Sequence, residues 1–269
     1  MNGKPISRLA ATAEAAALSG GAQLQRFFQS SFEVRTKEDR SLVTDADLAS
    51  EKAILDIIKD QFPEDLICSE EAGLSSTERQ VGKSIWIIDP LDGTHNFAYG
   101  YEFFCVSVAR GRFIEDGSIE IEVGAVLDPI RDRLWIAEKG CGTWCNDKQV
   151  SVSSPKDLEH SFLVTGFYYN RDSVLDNDLK LFRKIAGTCP NIRRDGAAAL
   201  DLALVAHGVF HCFWERNLKP WDMAAGSLLV EEAGGIIKGY KDNKWDCESN
   251  TIVAGHSRSV SDIRSYISD

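Results

Sequence analysis

The chain has 269 residues, 43% of them hydrophobic and 26% charged, with a formal net charge of −11. That length allows one large domain or two closely packed halves, with a core that needs no covalent staples. The acidic balance argues against an extended nucleic-acid surface, which needs basic patches, but permits an anionic substrate held through bound metal.

Apolar residues at helical spacing predict a first helix from Ile6 to Phe28, with Gly20-Gly21 as a weak point. The polar stretch Arg35 to Arg40 has no apolar period and predicts a loop. Thr44 or Asp45 is placed to cap a second helix that runs to about Phe62, where Pro63 stops it. Short strands are predicted at Leu66 to Ser69, Ser84 to Ile88, Phe104 to Gly111, Ile119 to Leu127 and Arg133 to Glu138. Regular turn signals between them predict a largely antiparallel sheet, followed by a hairpin over Gly140 to Val152 with its turn at Asn146-Asp147. Beyond it, strands are predicted at Phe162 to Thr165, Val209 to Trp214 and Ile252 to Ala254. Helices are predicted at Leu175 to Ile185, Ala197 to His207 and Asp222 to Ala233, the last with Asp222 as its cap and Gly234-Gly235 at its end. The pattern is α+β, layers of helix and sheet in two halves that meet near Val150.

Seven scattered cysteines read as reduced thiols. Cys141 and Cys145 have no second close pair of Cys or His to complete a zinc set. No stretch is long and apolar enough to span a bilayer, and the N-terminus lacks a basic segment followed by an apolar core. A cytoplasmic protein without membrane contact is the expectation.

Three acidic spots each follow an ordered element: Glu70-Glu71, the pair Asp89 and Asp92, and Asp222. Magnesium takes few carboxylates, several waters and phosphate oxygens. Asp89 and Asp92 suit two neighbouring ions, and the Leu91 carbonyl is a further donor. Gly93 lets the backbone approach a phosphate, to which the Gly93 and Thr94 amides could donate. Taken singly, each spot is equally a surface turn, solvated acids or a helix cap. Only their convergence would make a metal site.

"WIIDPLDGTHNF", Trp86 to Phe97, and "WDMAAGSLLVEEAGG", Trp221 to Gly235, are similar to two long signatures of one family, so that the chain resembles the inositol monophosphatase family. "DRSLVTDAD", "SEE", "GCGTWCNDKQVSVS" and "RRDGAAALDLALVAHG" fit other family segments in the right order. The resemblance implies a layered αβαβα sandwich of the sugar-phosphatase type, formed by the whole chain as one phosphatase domain. It also implies lithium sensitivity, two or three Mg2+ ions and a homodimer.

Glu70, Asp89, Leu91 through its carbonyl, Asp92 and Asp222 would hold metal. Thr94 with Asp47 would orient the attacking water. Asp92, Gly93, Thr94, Gly196, Ala197, Ala198 and Glu215 would contact substrate, and Lys37 to Ser41 would form a mobile loop. His95, at a variable position of the first signature, reads as structural or as lying behind the metal ligands. Ala197 stands where the family usually has Ser or Thr, which bears on the substrate. The expectation is hydrolysis of a small phosphate monoester, first of all an inositol monophosphate. Histidinol phosphate, fructose 1,6-bisphosphate and 3′-phosphoadenosine nucleotides are the alternatives. A binding or regulatory role is a second class of function, since some bacterial relatives interact with the transcription apparatus.

Overall fold

The structure is a computed structural model, and it describes Lys4 and residues 7–28, 34–36, 42–77, 79–155, 157–167 and 173–268. The stretch 37–41, read above as a mobile loop, lies outside the described residues. The first half contains α1 (Arg8–Phe28), β1 (Val34–Thr36), β2 (Leu42–Thr44), α2 (Asp45–Gln61), β3 (Leu66–Ser69) and β4 (Gly73–Leu74). It continues with β5 (Ser84–Asp92), α3 (Thr94–Ala98), β6 (Cys105–Phe113), β7 (Ile119–Asp128), β8 (Arg133–Glu138), β9 (Thr143–Cys145) and β10 (Lys148–Val150). The second half contains β11 (Leu163–Thr165), α4 (Ser173–Ala186), β12 (Ile192–Arg193), α5 (Ala198–Ala206) and β13 (Cys212–Arg216). It ends with α6 (Pro220–Glu232), β14 (Ile236–Lys238), β15 (Thr251–Gly255) and α7 (Ser257–Ser268).

Two mixed sheets organise these elements. The larger has the order β10-β9-β8-β7-β6-β5-β3-β4 and the smaller β12-β11-β13-β15-β14. The larger sheet is antiparallel except where β3 pairs in parallel with β5. Helices α1 and α2 cover one face of it. Helices α5 and α6 lie between the two sheets, and α4 with α7 close the smaller sheet from outside. The result is an α+β sandwich of five layers, αβαβα. No described helix is long and apolar enough to cross a membrane.

Several local expectations change. Helix α1 runs unbroken through Gly20 and Gly21, where it has no room for a side chain. A Cβ on Gly20 would meet Ser50 Oγ at 2.7 Å, and one on Gly21 would meet Leu127 at 2.4 Å. Part of the polar stretch after α1 is a strand, because Val34 to Thr36 pairs with Leu42 to Thr44. Asp222 is not the cap of α6. The helix starts two residues earlier at Pro220, as proline favours, and Lys219 is the capping position. The C-terminal helix α7 is unannounced by its Ser-rich sequence. Among its described residues it buries Ser259, Val260 and Ile263.

Candidate metal and phosphate site

Parallel pairing of β3 with β5 brings the ends of both strands to one edge of the large sheet. Glu70 leaves β3 there, its amide donating to Ile88 O at 3.1 Å. Strand β5 does not stop at Asp89 but runs on to Asp92. Its register against β6 shifts between those two residues, since Asp89 faces Ser107 and Asp92 faces Cys105. Such a bulge re-aims side chains at a strand end. Ser50 donates to Pro90 O at 2.8 Å, and the Leu91 amide donates to Asp89 Oδ1 at 3.0 Å. The turn is therefore fixed from both sides.

Gly93 then takes φ +91°, and a Cβ at that position would sit 3.0 Å from Phe103 O. Glycine is required by conformation and by space. Thr94 opens α3. Its Oγ1 lies 3.0 Å from Leu91 O and 3.3 Å from Asp47 Oδ1, and its single proton serves one or the other. Asp47 reaches this point from the first turn of α2, where its Oδ2 accepts from the Thr44 amide at 2.7 Å. Asp222 arrives from the first turn of α6, its Oδ2 accepting from the Lys219 amide at 2.6 Å. Ser107 donates to Trp221 O at 3.1 Å and ties that helix start to β6.

Asp89, Asp92 and Asp222 face one hollow of about 380 Å³, whose wall includes Glu70, Leu91, Gly93, Thr94, Gly196 and Glu215, while Asp47 is buried behind Thr94 and not on the wall. One carboxylate oxygen from each of Asp89, Asp92 and Asp222 lies within 4.8 Å of the other two. Burial, then Glu70 and Asp92, push the Asp89 carboxyl well above its ordinary range. Burial lifts Asp92 to about 7, opposed by the Ala199 and Ala198 amides. Loss of solvation, then the charge of Asp92, raises Asp222. Asp47 is raised to about 7 by burial against its bonds to Thr44. Carboxylates crowded in this way repel one another unless protons or cations lie among them. Among the described residues, the three groups close enough together to share a metal ion are all carboxylates. That set fits a hard divalent cation such as Mg2+.

The substrate side is more mixed. Glu215 stands on β13 against Gly166, where a Cβ would come within 2.1 Å of its Oε2. Its carboxyl is raised by burial and by Asp222 and Asp92. Gly196 reaches the wall, but Ala197 and Ala198 are buried at 1% and 8% exposure in the core beneath it. Their position at the start of α5 instead directs amides at Asp92. The Ala199 amide donates to Asp92 Oδ2 at 2.7 Å. His95 lies on the wall of the hollow and not behind it. Partial burial and Arg194 lower its pKa.

Other residues of the site were assigned no role from the sequence, although Asn96 lies in the first signature and Asp201 in the second-half helix segment. The Cys105 thiol donates to Asp92 Oδ2 at 3.7 Å. Asn96 donates to Phe103 O at 2.6 Å and Asp195 O at 2.9 Å, joining α3 to the loop before α5. Asp201 is buried, and that burial, then the charges of Asp195, Glu215 and Asp92, raise its carboxyl. Cys141 and Cys145 lie in the β9 hairpin, away from the acids.

Comparison with known proteins adds an independent line. The sequence profile of the inositol monophosphatase family matches residues 6–266. The chain is 40% identical over 230 residues to "Nus factor SuhB" of Pseudomonas aeruginosa, covering 84% of this chain and 82% of that protein. It is 38% identical over 248 residues to "Inositol-1-monophosphatase" of Synechocystis sp., covering 90% and 83%. The crystal structure of the extragenic suppressor protein suhB from Bartonella henselae superposes with a TM-score of 0.88 at 33% identity, over 97% of this chain and 98% of that one.

Proposed function

This chain belongs to the inositol monophosphatase family, and from that premise we propose that it is a magnesium-dependent phosphomonoester hydrolase acting on inositol monophosphate. The observation that carries the reading is the convergence of Asp89, Asp92 and Asp222 within 4.8 Å at the floor of a hollow. Glu70, Asp89, the Leu91 carbonyl, Asp92 and Asp222 would hold the metal. Bound there, Mg2+ would neutralise phosphate charge and lower the pKa of a coordinated water. The Thr94 hydroxyl, held against Asp47, orients a water for attack. The Gly93 and Thr94 amides bind phosphate oxygens. Glu215, across the hollow, accepts a hydroxyl of the leaving alcohol. Phosphate ester hydrolysis is slow enough unaided that alignment and charge neutralisation account for most of the required acceleration.

The test is phosphate release from inositol 1-phosphate, histidinol phosphate, fructose 1,6-bisphosphate and 3′-phosphoadenosine 5′-phosphate, with Mg2+ and with chelator. Release led by inositol 1-phosphate and stopped by chelation supports the full reading. Release led by another ester keeps the chemistry and replaces the substrate. No release from any ester overturns the hydrolase assignment. It would favour a second reading, a binding role, which the similarity to a protein named Nus factor SuhB supports. Asp92→Asn should nearly abolish release; near-normal turnover in that variant would remove Asp92 from the site.

A further inference from the structure

Strand β13 carries Arg216 directly after Glu215, and Arg216 borders two hollows. One is the site described above. The other, of about 540 Å³, lies between α4, the end of α7 and the segment after β14. Arg216 is fixed there, its Nε 2.6 Å from Asp178 Oδ1 and its guanidinium 4.9 Å over the Tyr240 ring. Asp178 balances its charge. Around this fixed residue stand Lys180, Lys184 and Lys241, with Asp242 as the one acid on the wall among the described residues.

The arrangement is unusual for a chain of net charge −11. Some exposed cations have partners, as in Lys52–Asp56, Arg79–Glu248, Lys139–Glu120 and Lys244–Asp116, while others, such as Lys59 and Lys148, stand singly on the surface away from both hollows. Lys180, Lys184 and Lys241 make no ion pair among the described residues. Lys180 and Lys184 are four residues apart on α4 and so share a face, a like-charge spacing that weakens a helix. Lys184, in the last turn, offsets the helix dipole. Lys180 has Asp176 four residues before it, a spacing that suits a helix, but Lys241, on the segment after β14, has no such explanation. What the three share is the hollow.

We propose that this hollow is a second binding site, taking a small phosphorylated anion. Its charge would be met by the three ammonium groups, and Asn250 on the wall supplies neutral hydrogen-bonding capacity. The volume lies in the range of small-ligand pockets. An acidic chain would otherwise repel such a ligand, so the local surplus of lysines also fixes where it lands.

The test is calorimetric titration of the full chain with inorganic pyrophosphate in chelator at low salt. Without divalent cation, the carboxylates of the first hollow repel the probe. The wild-type chain should bind, and the affinity should fall as salt screens the lysines. The Lys180→Glu, Lys184→Glu double variant should bind at least about tenfold more weakly while keeping its melting temperature. Lys241→Glu, on a separate segment, should weaken binding as well and covers the case in which α4 does not tolerate change. A control with the same net charge, Lys59→Glu with Lys148→Glu, should bind like wild type. No binding by wild type, equal binding by the lysine variants, or an equal loss in the control would overturn the proposal.

Discussion

Asp47 divides its two oxygens between fold and site. Oδ2 accepts from the amide and hydroxyl of Thr44 at 2.7 and 2.6 Å, which closes the start of α2. Oδ1 points to Thr94. The two residues should therefore fail differently. Thr94→Val should lower phosphate release by about tenfold or more, in the range of lost general acid–base assistance, with a nearly unchanged melting temperature. Asp47→Ala should lower release and also cost about 1 kcal/mol of stability, the usual scale of a lost helix cap. Equal melting temperatures for the two variants would separate Asp47 from the cap. Glu215→Gln should change the ranking of esters more than the turnover of any one, because it would touch the leaving alcohol and not the phosphate. A uniform loss across the panel would remove it from that role. At this scale the sequence was legible where chemistry is contiguous, as in Asp89 to Thr94. It was silent where partners meet only through space. The Cys105 thiol and the Ala199 amide both reach Asp92 from distant positions, and no local pattern marks either.

Elements were legible wherever apolar period and punctuation agreed, and their ends moved where tertiary pairing continued them. Strand β5 extends through Pro90 because β6 resumes pairing at Asp92 after the bulge. Helix α6 begins earlier than its apolar run because Pro220 suits a first turn, which leaves Asp222 inside that turn with its carboxylate on the Lys219 amide. Short edge strands such as β4 and β12 exist only through their neighbours. The end of α5 gives a prediction at this scale. His207 caps it, and its Nδ1 accepts from the buried Trp135 indole at 3.0 Å. Burial, then Arg133, lowers the His207 pKa below its ordinary 6.5. A depressed histidine binds its proton more readily in the unfolded chain. Its contribution is thus fully present above pH 6.5 and is lost as pH falls toward the folded value. In saturating Mg2+, the wild-type melting temperature should fall on acidification below that point relative to a chain without this imidazole, with a change in Trp fluorescence. His207→Asn, which keeps an acceptor without a titrating ring, should flatten the drop. An unchanged acid limb in the variant would clear His207.

The whole molecule places its acids where layers meet. Asp89 and Asp92 end a strand of the large sheet, Asp222 begins a helix from between the sheets, and Asp47 begins a helix from the outer layer. Five layers from distant parts of the chain cannot be read from periodicity, which sees one element at a time. The family signatures supplied that order. Convergence has a thermodynamic consequence for the metal-free protein. Asp92 is raised from 3.8 to about 7 in the fold. A carboxyl raised in this way favours the fold fully only below its unfolded pKa, and that contribution is lost as pH rises through about 7. Asp89 and Asp222 are raised in the same direction. Removing divalent cation should therefore lower the melting temperature more at pH 8 than at pH 5. A ligand of the folded state at a hundred times its dissociation constant adds about 2.7 kcal/mol, which for a chain of this size corresponds to roughly 5–10 °C. The difference between Mg2+ and chelator at each pH cancels the His207 effect, which is common to both. Asp92→Asn should lose most of that difference. Equal melting temperatures with and without Mg2+ at pH 8 would mean that the three carboxylates are accommodated by protons or water alone, and the metal reading would fall with them.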